Sequence, residues 1–196
     1  MDAFSELMGP TDATDRYHGV AFAVVTNNKD PDGLGRVKVA FPWLDAAVES
    51  AWARVVTPMA GRQRGLYFLP EVDDEVLVAF EHGSPNAPYV LGGLWNGKDK
   101  PPESNADGKN NLRAIRSRSG HVVRFVDTAG EERIEIVDAG GADSIVISKK
   151  DNSITVKARS AVTVESGGAV TVKANGDITI EARGKLVLKG ATVDIN

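Results

Sequence analysis

Four carboxylates crowd into five residues at Glu71, Asp73, Asp74 and Glu75. A glycoside hydrolase uses a pair of such groups as acid and base across the scissile bond. Here they immediately precede the apolar run Val76–Phe80, and acids packed so tightly at a strand start read instead as a solvated turn. Arg113, Arg116, Arg118 and Arg124, with His121, form a second cluster whose charge suits phosphates. The whole chain carries a formal net charge of -4, and it lacks the regularly placed surface aromatics on which single-stranded nucleic acid stacks. A contact between protomers is the preferred reading of the arginines. Asp30-Pro31-Asp32-Gly33 begins like a calcium loop but has no distal bidentate Glu in place, so it reads as a turn. Gly33-Leu34-Gly35 lacks the third glycine and following helix of a phosphate-binding loop. The histidines are only His18, His82 and His121, and there is no cysteine. We assign no catalytic, cofactor-binding or metal-binding residue.

The elements that carry these residues are β-like throughout. Short runs at Val20–Thr26, Gly35–Phe41, Ala51–Thr57, Glu75–Phe80 and Tyr89–Leu94 are separated by Gly, Pro and Asn clusters without helical periodicity, which predicts a small barrel over 17–95. Trp43, Trp52 and Trp95 are assigned to barrel core or barrel-to-barrel packing. Residues 1–16 are polar and poorly patterned, an expected flexible N-terminal arm. Residues 96–112 form a Pro/Gly/Asn-rich linker. From 113 to 152, strands at Val122–Val126, Ile134–Val137 and Ile145–Ile147 make a neck of irregular spacing. The apolar content of 42% supports a folded core. The apolar runs are too short for a membrane helix, and the start, with Asp2 and Glu6, lacks a basic region followed by an apolar stretch. Synthesis in the cytoplasm is expected.

Residues 153–196 carry the strongest pattern. Apolar pairs recur every eight positions at Ile154 and Val156, Val162 and Val164, Val170 and Val172, Ile178 and Ile180, and Leu186 and Leu188. The two-residue spacing within each pair is that of a strand with one buried face. Thr155, Thr163, Thr171 and Thr179 take the outward position, and Ser160, Gly168, Gly176 and Gly184 follow each strand as turn residues. One octad supplies one strand and one corner, only one side of a closed rung. Three chains about one axis would supply all three sides and remove the open edges. An antiparallel meander of tiny hairpins on one chain is the alternative, disfavoured by the absence of regular Asn-Gly or Asp-Gly turns. The fourth octad position alternates in sign through Lys157, Glu165, Lys173, Glu181 and Lys189, which would set unlike charges one above another in a stack.

Two stretches of the barrel carry a resemblance. Gly35-Arg36-Val37-Lys38-Val39-Ala40-Phe41-Pro42-Trp43-Leu44 and Tyr67-Phe68-Leu69-Pro70-Glu71-Val72-Asp73-Asp74-Glu75-Val76-Leu77-Val78-Ala79-Phe80-Glu81-His82-Gly83, followed by Leu91-Gly92-Gly93-Leu94-Trp95, resemble the spike proteins of contractile injection systems. That family comprises phage baseplate assembly protein V, VgrG spikes and the spikes of phage-tail-like particles. The resemblance implies an all-β chain, with an N-terminal OB-fold barrel followed by a C-terminal intertwined triple-stranded β-helix in a homotrimer. It implies a non-enzymatic central spike of the baseplate that sits on a hub, carries a tip protein and pierces the target envelope. Asp73 departs from the family's usual Gly. With no hub-like domain before the barrel, a separate hub protein is expected. A PAAR-type tip protein is expected on Val193, Asp194, Ile195 and Asn196, with effector cargo as a further partner. The target membrane is met only mechanically, and nucleic acid is not expected to bind. The alternative is a trimeric OB-fold binding module for single-stranded nucleic acid or glycan.

Overall fold

The computed structural model describes residues 16–44 and 48–195. Among them the regular structure consists of β-strands and one 3₁₀ turn at Glu81–Gly83. The N-terminal arm, except for Arg16, and Asn196 lie outside the described residues. The chain forms two compact units that part between Ser104 and Asn105.

In the first unit, β1 (Val20–Asn27), β2 (Arg36–Ala40), β3 (Ala53–Val55), β6 (Glu75–Phe80) and β7 (Pro88–Gly93) close into a barrel of order β1-β2-β3-β7-β6. All pairings are antiparallel except β3 with β7, which is parallel. The two-residue strands β4 (Ala60–Gly61) and β5 (Arg64–Gly65) form a separate hairpin. Alternation places Ala23 and Val25, Val37 and Val39, Val76 and Val78 inward, where Ala53 and Val90 join them, all fully buried. Compact β-branched residues suit both the pleat and the narrow interior. Each such valine stabilises by about 1.5–3 kcal/mol on burial. Registers shift between Val25 and Asn27 and between Leu77 and Val78, and such irregularities bend strands enough to help a small sheet close.

None of the tryptophans enters that valine-filled core. Trp43 stacks edge-on against Tyr17 and Phe41, which with Phe80 form an aromatic cluster; Phe41 is itself part of the buried core, and Phe80 packs against it. Trp52 lies beneath the Arg36 and Lys38 cations, 5.8 and 5.6 Å from its ring centre, and Trp95 is exposed.

The β1–β2 loop is held by one carboxylate. Asp30, almost fully buried, accepts from Arg36 Nη2 at 2.7 Å and Nε at 2.9 Å and from the Asp32, Leu34 and Arg36 amides. The Arg36 guanidinium holds the Asp30 carboxyl far below the usual carboxylate range, against the opposing effect of desolvation. The Asp30-Pro31-Asp32-Gly33 segment is thus a turn clamped to the first residue of β2, and Asp32 also pairs with Arg36.

The second unit contains an antiparallel meander of β8 (Leu112–Arg116), β9 (Val122–Val126), β10 (Arg133–Val137), β11 (Ser144–Ser148) and β12 (Ser153–Lys157), in sheet order β12-β11-β10-β9-β8. On one face Glu135 of β10 lies opposite Arg124 of β9. It is 7% exposed, bonded to Arg124 and to Arg133 Nε at 2.5 Å. Burial pushes its carboxyl up, but the hydrogen bonds and charges of the two arginines outweigh that and leave it below its ordinary value.

Candidate functional site

The other face of the meander is apolar. Register aligns Ile115, Val123, Ile136, Ile145 and Val156 in one row across all five strands. A second row runs Phe125, Ile134, Ile147 and Ile154, with Arg113 at its β8 end. Side chains two residues apart share a face, so the rows are adjacent and make one patch of nine large apolar groups. Every one of them is exposed, whereas a face of such side chains would be buried if another surface covered it. Isolated exposed aliphatics need no explanation; two continuous cross-strand rows do.

Beyond β12 no strand forms over 158–195 among the described residues. The first octad pair, Ile154 and Val156, lies on β12 and pairs antiparallel with β11. The expected strands around the other four pairs have no neighbour among the described residues of the chain. Val162, Val164, Val170, Val172, Ile178, Ile180, Leu186 and Leu188 are all exposed, Val164 to 75%. An isolated five-residue strand has no ladder to satisfy its backbone. A single chain therefore presents this stripe without covering it. Val193, Asp194 and Ile195 are exposed as well.

The residues first considered for chemistry are engaged in local structure. Glu71 to Asp74 form a tight turn in which the Asp74 amide donates to Glu71 O at 3.2 Å and the Glu71 amide donates to Asp74 Oδ2 at 2.8 Å. Asp73 takes the left-handed conformation at φ 77°, which explains why a glycine suits this place. Glu75 accepts from Asn96 Nδ2 at 3.2 Å. The arginines are divided by strand parity: Arg113 is on the apolar face and pairs with Asp127 at 2.7 Å, while Arg116 and Arg124 are on the opposite face. His121 accepts at Nδ1 from the Ala139 amide at 3.2 Å. Among the described residues, no group of three or more His, Asp or Glu side chains is placed to hold a metal ion, and no helix is long and apolar enough to cross a membrane.

Ile115, Val123, Phe125, Ile134, Ile136, Ile145 and Ile147 are additions to the sequence-predicted stripe. Each strand shows the i, i+2 alternation, but only pairing register reveals that the alternations line up.

Among the described residues the fold is all-β, with a five-stranded barrel closed by a parallel pairing of its third and last strands, compatible with an OB fold. Residues 21–95 match the family model described as the type VI secretion system/phage-baseplate injector OB domain. The type VI secretion system spike protein VgrG3 of Vibrio cholerae is 32% identical over 111 residues, covering 53% of this chain and 11% of that protein. VgrG1a, a type VI secretion system spike protein of Pseudomonas aeruginosa, is 31% identical over 137 residues, 64% of this chain and 21% of the relative. The actin cross-linking toxin VgrG1 of Vibrio cholerae is 31% identical over 111 residues, 53% of this chain and 10% of the toxin. Through its barrel the chain is similar to the VgrG-like baseplate spike proteins. It spans at most about a fifth of the length of these relatives.

Proposed function

We propose that this chain is the structural, non-enzymatic central spike of a contractile injection baseplate, acting as a homotrimer. Three copies bring their apolar meander faces and octad stripes together about one axis. Ile154, Val156, Val162, Val164, Val170, Val172, Ile178, Ile180, Leu186 and Leu188 are the axis core, and 158–195 wind into an intertwined triple-stranded β-helix. The observation that carries this reading is the unbroken run of exposed apolar pairs from the meander through the last octad. One chain leaves that surface wet and its strands unpaired; three chains cover both deficits.

The barrel end sits on a separate hub protein, and a PAAR-type tip protein covers Val193, Asp194, Ile195 and Asn196. When the sheath shortens, the needle is driven through the target envelope. Stiffness is the property selected, because a continuous inter-chain ladder cannot open at one rung without disturbing three chains together. Synthesis is cytoplasmic, followed by incorporation into the particle and delivery to the target envelope on firing. Effector cargo, where present, travels on this spike or its tip.

Amide hydrogen exchange tests the β-helix. The amides of 162–188 are expected to be protected by orders of magnitude in the native protein. Exchange at free-coil rates throughout that segment would overturn the reading.

A further inference from the structure

The outward charges of the octads are not absorbed by the piercing role. Lys157, Glu165, Lys173, Glu181 and Lys189 are exposed. Among the described residues the ion pairs join other residues of the barrel and meander, such as Arg36 with Asp30, Arg113 with Asp127 and Arg124 with Glu135. These five alternate in sign at a constant spacing of eight, and each is one residue beyond an apolar pair, on the strand parity opposite to it.

We infer that these residues form a charge ladder between chains that fixes the register of a second and third copy and excludes copies out of step. The inference rests on the trimeric reading. In a three-sided rung each corner turns its chain by one third of a revolution, so the next octad of that chain lies on the next side. The side just vacated is filled, one level up, by the next octad of a different chain. One edge of β12 pairs with β11 of its own chain; from its other edge onward a vertical neighbour is therefore always another protomer. Levels are about 4.8 Å apart, within reach of Lys and Glu side chains. Lys157 of one copy meets Glu165 of the second, which meets Lys173 of the third, and the order repeats on every side.

The apolar stripe cannot set this register. Its octads are nearly interchangeable, since Val162 and Val164 have the same side chains as Val170 and Val172. A chain displaced by one octad buries almost the same surface over the remaining rungs, but each of its outward charges then faces a like charge. A two-octad slip restores the alternation and loses two rungs of apolar contact. The sign pattern thus opposes the smallest slip, and hydrophobic burial opposes the next.

The test uses full-length chains carrying two different tags. One is unaltered; the other has every sign inverted by Lys157→Glu, Glu165→Lys, Lys173→Glu, Glu181→Lys and Lys189→Glu. Each retains the alternation within its own homotrimer, whereas a mixed trimer places like charges together. After co-refolding at low salt, mixed trimers are expected at least about tenfold below statistical proportions, a ratio set by several weak repulsions acting together. Statistical mixing among intact trimers would overturn the ladder and leave the trimer standing; absence of a trimer from the unaltered chain would overturn the assembly reading itself. If the inverted chain does not assemble, Glu165→Lys with Glu181→Lys decides. Raising salt from about 0.01 to 0.15 M shortens the screening length from about 30 to 8 Å. That change should lower the melting temperature of the unaltered trimer and raise that of the all-lysine variant. Salt slopes of the same sign would overturn the ladder.

Discussion

Ile136 occupies the middle of the longer apolar row, between Val123 on β9 and Ile145 on β11, and is 49% exposed in the single chain. Complete burial of an isoleucine stabilises by about 1.5–3 kcal/mol, so covering the remaining half contributes about 1 kcal/mol per chain. Three symmetry-related copies bring this to about 3 kcal/mol per trimer, which corresponds to about a hundredfold change in an association constant. Ile136→Ala should therefore weaken assembly by up to this factor. The assay is thermal unfolding across a wide range of protein concentration, because the midpoint of an associating protein shifts with concentration. Ile136→Ala is expected to lower the midpoint most at low concentration. Val146→Ala, on the opposite face of the sheet, should lower it about equally at all concentrations. Equal, concentration-independent shifts for both variants would refute the assignment of this face to contacts between chains.

Three further perturbations probe single residues. Asp73→Gly should raise stability by about 0.5 kcal/mol, since relief of the left-handed backbone, about 1 kcal/mol, exceeds the extra chain entropy of glycine; a lower denaturant midpoint would refute this. The Asp30 carboxyl is depressed below its ordinary value of 3.8, so its stabilising contribution is complete above about pH 4 and declines as the pH falls below that. Asp30→Asn should lower the melting temperature at pH 7 and flatten its decline in acid, and an unchanged acid profile would remove the role given to the clamp. Val164→Asp sets three carboxylates at the proposed axis, where unpaired charge is strongly disfavoured; it should abolish the assembled species in size-exclusion chromatography, and a normal trimer would remove Val164 from the core.

Much of the barrel was legible because its signal is local. Val37 and Val39, and Val76 and Val78, alternate with outward residues and are bounded by turn residues, so their strands could be placed before any pairing was known. The parallel partnership of β3 with β7 joins residues more than thirty positions apart, Arg54 with Tyr89 and Val55 with Val90, and no local pattern encodes it. The tryptophans lie outside the core, which is filled by valine, alanine and Phe41, so of the two roles expected for them packing between barrels is the one left. Strand β8 escaped notice because Arg113 and Arg116 interrupt its apolar residues and the linker was expected to run to 112. The apolar face was half visible, since each strand showed its alternation while the alignment of five strands depends on hairpin register. In the octads the sequence period is plain, but among the described residues the single chain offers those segments no partner strand, so they stay unformed; the proposed trimer would supply the partners from other copies.

Native mass spectrometry of the full-length protein measures the copy number directly. A dominant species at three times the chain mass of 20.8 kDa, persisting on dilution, is the predicted result. A folded species at the mass of one chain, with its aliphatic octads still exposed, would contradict the account.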